Sequence, residues 1–587
     1  MPAADPTQRF ADGVLDHTSI AQLNAGYASS EPFKYAVVEK LFQDDLLQKV
    51  KDECMNELSF TEKETDIYKV NQTGDLASLN YLPSSQISLL PNLLTLRDAL
   101  YSPVFRNFLR AVTGCGPLSG TKQDMSVNSY TRGCHLLNHD DVIGSRRVSY
   151  ILYMPLPHFQ FWQKDWGGAL ELYPTIVGPD GEREPVAVPS KSISPSWNQF
   201  IFFEVQPGLS FHSVEEVVVG GEGEDGRARL SISGWFHAAQ EGEEGYVPEP
   251  PTQSKSSREQ LTPRPEETLS EEHTAFLSEF LNPVYLQPRT MKSLSAQFVE
   301  ESSLELHSFL SHDLASALEP RLRELDAKDG LGEDRAGRVP PHTSGISEGS
   351  VWTVRGPPHK WRYCVLAPHT TGARAQAVTP RAAASCDEII RGLQDELFSS
   401  PAFRAWLAIM SRLLPTRHSV EARRFRPGLD YTLATSEEKE ARLDVVLGLT
   451  PDCYMAPHNE EDDPAVYRAG TIKKTAPETT ADSNGASSSK SPNGKANGNG
   501  HVSNGHASTE ESDRRDEDEE EDSTLLTVQP GFNRLLLVLR DERVMRFVKY
   551  VSASAEGSRW DVCGEYEVGM MEEGAMLFTT DWVPDEG

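Results

Sequence analysis

At 587 residues the chain has material for more than one domain with its own buried core. Asp and Glu outnumber Lys and Arg 88 to 56, and the net charge of −32 argues against direct nucleic-acid binding and for a basic protein partner. Seven widely spaced cysteines without a C-x-x-C pair argue against a secreted disulfide framework and for reduced thiols. No apolar run reaches the roughly 20 residues needed to cross a bilayer, and the start MPAADPTQRF lacks the basic-then-apolar order of a signal peptide. A soluble protein of the nucleus and cytoplasm, without a membrane partner, is expected.

In chain order, residues 1–30 are polar and read as a flexible tail, and a first folded unit is expected over 31–239. Phe33–Leu58 reads as a short strand followed by an amphipathic helix, with Leu41, Leu46, Leu47 and Val50 near helical spacing. A helical pair follows around Leu94–Val112, broken at Ser102-Pro103, where proline can open a new helix. From Met125 to Ala238 the pattern turns to short strands: MSVNSY, VSYILYMP, ALELYP, NQFIFFEV, HSVEEVVV and RLSISGWFH. The turn formers GSRR, DWGG, SPSW and QPG separate them, as in a double-stranded β-helix, a jelly-roll type of barrel.

Chemistry concentrates in this strand-rich region. In LLNHDD (136–141), His139 and Asp141 stand two positions apart, and on extended backbone they would share a face while Asp140 turns away. Imidazole plus carboxylate suits ferrous iron, and a second His would complete the facial triad of non-haem iron oxygenases. His212 is that candidate, just past the apolar run Asn198–Val205 and the turn Gln206-Pro207-Gly208. Arg229 then opens another alternating strand, with Ser231 on the same face. An anion that chelates iron at one end needs a buried cation at the other, and the planar fork of Arg serves a carboxylate bidentately. Alone, H-x-D is a weak signal; with a distal His and a following Arg on alternating strands it is a strong one. The acidic GEGEDG at 221–226 formally matches a nucleotide-loop pattern, but no helix follows it.

Gln240–Glu267 is rich in Glu, Pro and Ser and reads as a linker to a second unit over 268–587. That unit begins with helical pattern from Leu269 to about Leu325, continues with strand-like Val351–Leu366, and returns to helix over Cys386–Leu414. Between Lys473 and Ser523 composition collapses to Ser, Asn, Gly, Lys and then the unbroken acid of Asp516–Asp522, a disordered insertion. An internal repeat is also visible. Laying Tyr130–Pro155 over Phe425–Thr450 aligns Gly133 with Gly428, Arg147 with Arg442 and Leu152 with Leu447, and RLSISGWF resembles RWDVCGEY. At the metal positions Ala434 replaces His139 and Ser436 replaces Asp141, and no His stands where His212 would fall. The second half reads as a degenerate copy. The fold class expected is therefore mostly β with flanking helices, two tandem double-stranded β-helix domains.

With those residues in hand, the chain resembles the 2-oxoglutarate- and Fe(II)-dependent oxygenases and, more narrowly, the eukaryotic ribosomal prolyl hydroxylases. The resemblance is carried by LLNHDD, RRVSYILYMP, GGALELYP, FHSVEEV and RLSISGWFH, and continues through RFRPGLDYTLA, LLTVQPGFNRLLLVLRDERVMRFVKYV and DVCGEYE. It implies Fe(II) as cofactor, 2-oxoglutarate as co-substrate and ascorbate in support, with only the first barrel catalytic. It also implies polar contacts to the co-substrate from Tyr130 and Tyr153. As substrate it implies a prolyl residue of the small-subunit ribosomal protein at the decoding centre, with further links to transcription-regulator and translation-termination proteins. Two other readings stay open: the same chemistry on a lysyl side chain, small molecule or nucleobase, and an oxygen- or 2-oxoglutarate-sensing module acting through protein contacts. Because 473–523 has no apolar face and loop-closure entropy grows slowly with length, its deletion should leave the melting temperature and 2-oxoglutarate turnover unchanged. A large fall in melting temperature would show that the segment packs.

Overall fold

The computed structural model describes residues 5–570 apart from 77–78, 80–83, 179–180, 222–225, 247–268, 336, 368–380, 435–440, 455–464, 470–523 and 541–543. The insertion expected at 473–523, the linker from residue 247 onward, most of GEGEDG and Ser436 lie outside these residues.

The alternating runs of the first half pair into one antiparallel sheet. Its order is Tyr35–Val38, Phe200–Glu204, Arg146–Tyr153, Arg229–Ala238, Leu118–Tyr130, Tyr68–Gln72, His135–His139, His212–Val214, Leu170–Leu172 and Lys191–Ile193. Alternation sorts the side chains onto two faces. Val148, Tyr150, Leu152, Phe200, Phe202, Leu230 and Ile232 turn outward onto helices Asp44–Glu57, Pro91–Leu100 and Pro103–Thr113. On the opposite face Tyr153, Ile201 and Phe203 meet Leu170 and Leu172 from strands far away in the sheet order, because the sheet curls into a barrel. The helix break falls at Ser102-Pro103 as expected, with the Ser102 hydroxyl capping the new helix by accepting from the Phe105 amide.

Residues 1–30 are not a loose tail throughout. His17–Ser29 is a helix, and its Asn24 amide donates to the carbonyls of Ala111 and Val112 at the end of the Pro103–Thr113 helix. Phe10 is buried, stacked 5.0 Å from both Phe42 and Phe105, and Tyr27 is buried as well. Two aromatic anchors in a polar stretch give too weak a periodicity to read, yet their burial is enough to dock the segment.

The second half repeats this layout. Its sheet runs Ser303–His307, Phe532–Arg540, Arg442–Leu449, Arg559–Met570, Leu413–Phe425, Trp361–Leu366 and Trp352–Arg355. Registers coincide: Arg229 lies opposite Tyr130 in the first sheet, and Arg559 opposite Phe425 in the second. Ser231 pairs with Tyr153, and Asp561 with Gly448. Even the capped helix recurs, at Pro401–Ser411 behind Ser400. The helical block expected over 269–325 is interrupted by the edge strand Ser303–His307, which pairs with Phe532–Arg540. Among the described residues no helix is long and apolar enough to cross a membrane.

Helix His312–Lys328 is tied to this second sheet by a buried ionic knot. Arg424 donates to Asp326 at 2.7 Å and Asp329 at 2.6 Å, and Asp326 also accepts from the amide and hydroxyl of Ser558. Arg424 and Asp326 are fully buried, so removing one charge strands the other. Arg424→Met should cost about 3–5 kcal/mol, read as a lower unfolding transition in scanning calorimetry. An unchanged transition would show that Asp326 finds another cation.

Candidate active site

The strand His135–His139 runs antiparallel to His212–Val214 with His139 directly opposite His212, which brings the two imidazole rings to 4.2 Å. The strand stops at His139, and Asp141 adopts a φ of 63°. This corrects the period-two expectation: His139 and Asp141 share a target because the backbone turns back at Asp141, not because a strand runs through both. Left-handed backbone is uncommon for residues with a Cβ, and Asp is among those that tolerate it best. The turn aims the carboxylate between the rings, with Oδ1 3.3 Å from His139 Nε2 and Oδ2 3.4 Å from His212 Nε2. Asp140 faces elsewhere. Its carboxylate accepts from the Gly208 amide at 3.2 Å and its carbonyl from the Ser210 hydroxyl at 3.1 Å, tying the two ligand loops together.

Both imidazole rings are oriented by backbone carbonyls. Nδ1 of His139 lies 2.8 Å from the Leu137 carbonyl, and Nδ1 of His212 lies 2.8 Å from the Ser210 carbonyl. A carbonyl only accepts, so each Nδ1 donates its proton and each Nε2 is left facing Asp141. The three candidate ligand atoms lie within 4.8 Å of one another, and no other such group of three occurs among the described residues. Burial pushes the Asp141 carboxyl up, but His212 and His139 overcome it and hold the group well below the usual carboxylate range. Burial and the neighbouring His139 bring His212 down to about 4. At His139 burial is outweighed by Asp141, which raises the imidazole. An ionised carboxylate with two anchored imidazoles is a donor set that fits Fe(II).

Deeper in the barrel Arg229 is 1% exposed. Its Nε donates to the Gly168 carbonyl at 2.7 Å and its Nη2 to the Tyr153 hydroxyl at 3.2 Å. The Tyr130 and Tyr153 rings lie 4.7 and 4.9 Å from Cζ. Ser231, equally buried, sits between Tyr153 and Asn128 in the sheet register. Among the described residues no carboxylate lies within ion-pair distance of Arg229. A buried guanidinium with only neutral acceptors calls for an anion, and the distal carboxylate of 2-oxoglutarate fits that need. Gly168 is a functional position that strand patterning does not reveal. Its φ is 76°, and a Cβ there would lie 2.9 Å from Arg229 Cδ and from Val217 Cγ2. The only hint in the chain is the Gly-Gly pair ahead of ALELYP.

Apolar groups close the space around these residues. Phe203 meets the His212 ring edge-on at 4.8 Å, within the cluster of Phe33, Leu170, Leu172 and Ile201. The second half also reaches the site, as His359 lies 5.1 Å from Phe211, the neighbour of His212.

Residues 125–237 match the family model described as 2OG-Fe(II) oxygenase superfamily. Residues 272–574 match the model described as oxoglutarate and iron-dependent oxygenase degradation C-term. The prolyl 3,4-dihydroxylase OGFOD1 of Ostreococcus tauri is 34% identical over 549 residues, spanning 91% of this chain and 95% of that protein. The prolyl 3-hydroxylase sudestada1 of Drosophila melanogaster is 28% identical over 536 residues, spanning 89% of this chain and 80% of that one. The prolyl 3-hydroxylase OGFOD1 of Xenopus laevis is 33% identical over 291 residues, 49% of each chain.

Proposed function

The chain belongs to the OGFOD1-type prolyl hydroxylase family of 2-oxoglutarate- and Fe(II)-dependent oxygenases, and from that premise we propose that it hydroxylates a prolyl residue of the small-subunit ribosomal protein at the decoding centre. In this reading residues 31–239 are catalytic and 268–587 are not. The observation that carries it is the pairing, in one barrel, of the His139–Asp141–His212 cluster with the buried guanidinium of Arg229.

His139, Asp141 and His212 would hold Fe(II). Bound there, iron with 2-oxoglutarate would supply the activation of dioxygen needed to hydroxylate an unactivated C–H bond. The chain's own part is positional. Arg229 would pair with the distal carboxylate of 2-oxoglutarate, with Tyr153, Tyr130 and Ser231 completing its polar surroundings, and the Phe203 cluster would keep water away. For the protein substrate, the support is electrostatic: a net charge of −32 attracts a basic ribosomal protein. The second barrel has a folded apolar core but no metal group among its described residues, which favours an added role in protein contacts; the family resemblance adds transcription-regulator or translation-termination proteins as partners, in nucleus and cytoplasm.

Intact-mass analysis of small-subunit ribosomal proteins incubated with the chain, Fe(II) and 2-oxoglutarate should show a gain of one oxygen that maps to a proline. His139→Ala, Asp141→Ala and His212→Ala should each abolish it. No gain with the wild-type chain overturns the substrate, and turnover surviving in His212→Ala removes that residue from the ligand set.

Arg229→Ala should raise the KM for 2-oxoglutarate well over tenfold, since unpairing a desolvated carboxylate costs roughly 2–5 kcal/mol. Fe(II) binding should hold. An unchanged KM would assign the clamp to another residue.

A further inference from the structure

The strand His212–Val214 is braced from outside the barrel by carboxylates that find partners in the second half. Glu171 lies opposite Ser213 in the sheet and is buried. Its Oε2 accepts from the Ser213 hydroxyl and the Tyr173 hydroxyl, each at 3.0 Å. Its Oε1 accepts from Nε2 of His342 at 2.6 Å, a residue far along the chain in the second half. Past the end of the strand, Glu216 accepts from the Ser552 hydroxyl at 2.9 Å and the Ala553 amide at 2.7 Å.

The donor inventory fixes how His342 works. Its Nδ1 lies 2.5 Å from Nη2 of Arg362. A guanidinium only donates, so Nδ1 accepts and the proton sits on Nε2, pointing at Glu171. Arg362 is itself held 3.5 Å from Asp430, which Arg426 grips through its backbone amide and guanidinium. Arg426 also donates to the His342 carbonyl at 2.8 Å, so both the ring and the backbone of His342 are pinned. Glu171 thus meets a rigid donor rather than a mobile surface group. Glu215, next to this network, is pushed up to about 8 by burial and by the charge of Glu171.

We infer that His342 is a positioning residue for the metal site, setting the place of the His212 strand through Glu171 and Ser213. The inference rests on the assignment of His212 as a metal ligand proposed above. Ser213 is covalently next to His212, and a carboxylate gripped from the second half limits how far that strand can shift along its neighbour Leu170–Leu172. Partners behind metal ligands typically tune affinity by 10–100-fold, and the extra step through Ser213 places this effect near the lower end.

Co(II), whose ligand-field absorption reports coordination geometry without turnover, is the probe, titrated into the full-length chain. Wild type should bind one Co(II) with an absorption band lost in Asp141→Ala; no such site overturns the ligand assignment itself. Given that site, His342→Ala should weaken Co(II) about tenfold and alter the band. His342→Gln, whose amide can donate to Glu171 and accept from Arg362, should restore both. Ser213→Ala should give a similar loss, and the double variant His342→Ala with Ser213→Ala should lose little more than either alone, because one path carries both effects. Additive losses, or wild-type affinity and absorption in His342→Ala, overturn the inference. Should His342→Ala fail to fold by circular dichroism, Ser213→Ala decides: unchanged Co(II) binding rules the path out.

Discussion

A guanidinium buried with no carboxylate partner among the described residues is the constraint around which the first barrel is arranged. Arg229 carries a charge that cannot be neutralised by deprotonation, and its described partners are a carbonyl and a hydroxyl. Keeping it there requires a close backbone approach, which Gly168 alone permits, and two tyrosine faces to shield the cation. It also requires a fold stable enough elsewhere to bear an incomplete ion pair. The three-helix layer packed on the outer face of the sheet supplies that stability. The guanidinium and the three metal-type donors border one interior, through Tyr153 and Phe203 of the same cluster, and the proposed placement of 2-oxoglutarate rests on that.

The second barrel shows what the same framework does without that demand. Where the first has Tyr130, Tyr153, Ser231 and Asn128, the matching registers of the second hold Phe425, Gly448, Asp561 and Arg423. Arg423 and Asp561 pair through two parallel hydrogen bonds of 2.8 and 2.9 Å. Asp444 likewise faces Arg540 and Arg546. These charges are matched within the chain. In these registers the second barrel has internal ion pairing where the first has neutral polar groups.

The two halves also share a polar boundary that lies close to the chemistry. Leu137, two residues before His139, packs with Tyr431 and Leu433, and His135 stacks on Tyr550 at 4.2 Å. Lys549 reaches Glu64 at 3.2 Å. The strands that carry His139 and His212 therefore have one face in the first barrel and the other on the second half. The second half packs against those strands, and among its described residues none joins the His139–Asp141–His212 group.

What the sequence determined by itself is whatever depends on neighbours along the chain. Alternation marks most of the sheet strands, Ser102-Pro103 marks a helix start, and the order of His139, Asp141, His212 and Arg229 marks the chemistry, because period-two geometry and capping are local. The repeat was readable for the same reason, and a further window of it, Ser-Pro-x-Phe-Arg at 102–106 and 400–404, stands in plain view. What only the tertiary structure decided involves partners far apart in the chain or backbone that the pattern cannot encode. The left-handed turn at Asp141 replaces the assumed strand, and the docking of Phe10 and Tyr27 turns an apparent tail into part of the core. The approach of Gly168 to Arg229 and the grip of His342 on Glu171 likewise exist only once the sheet has curled and the second half has closed on it. Their cause is long-range: each depends on which surfaces meet after the local elements have formed, and no local periodicity carries that information.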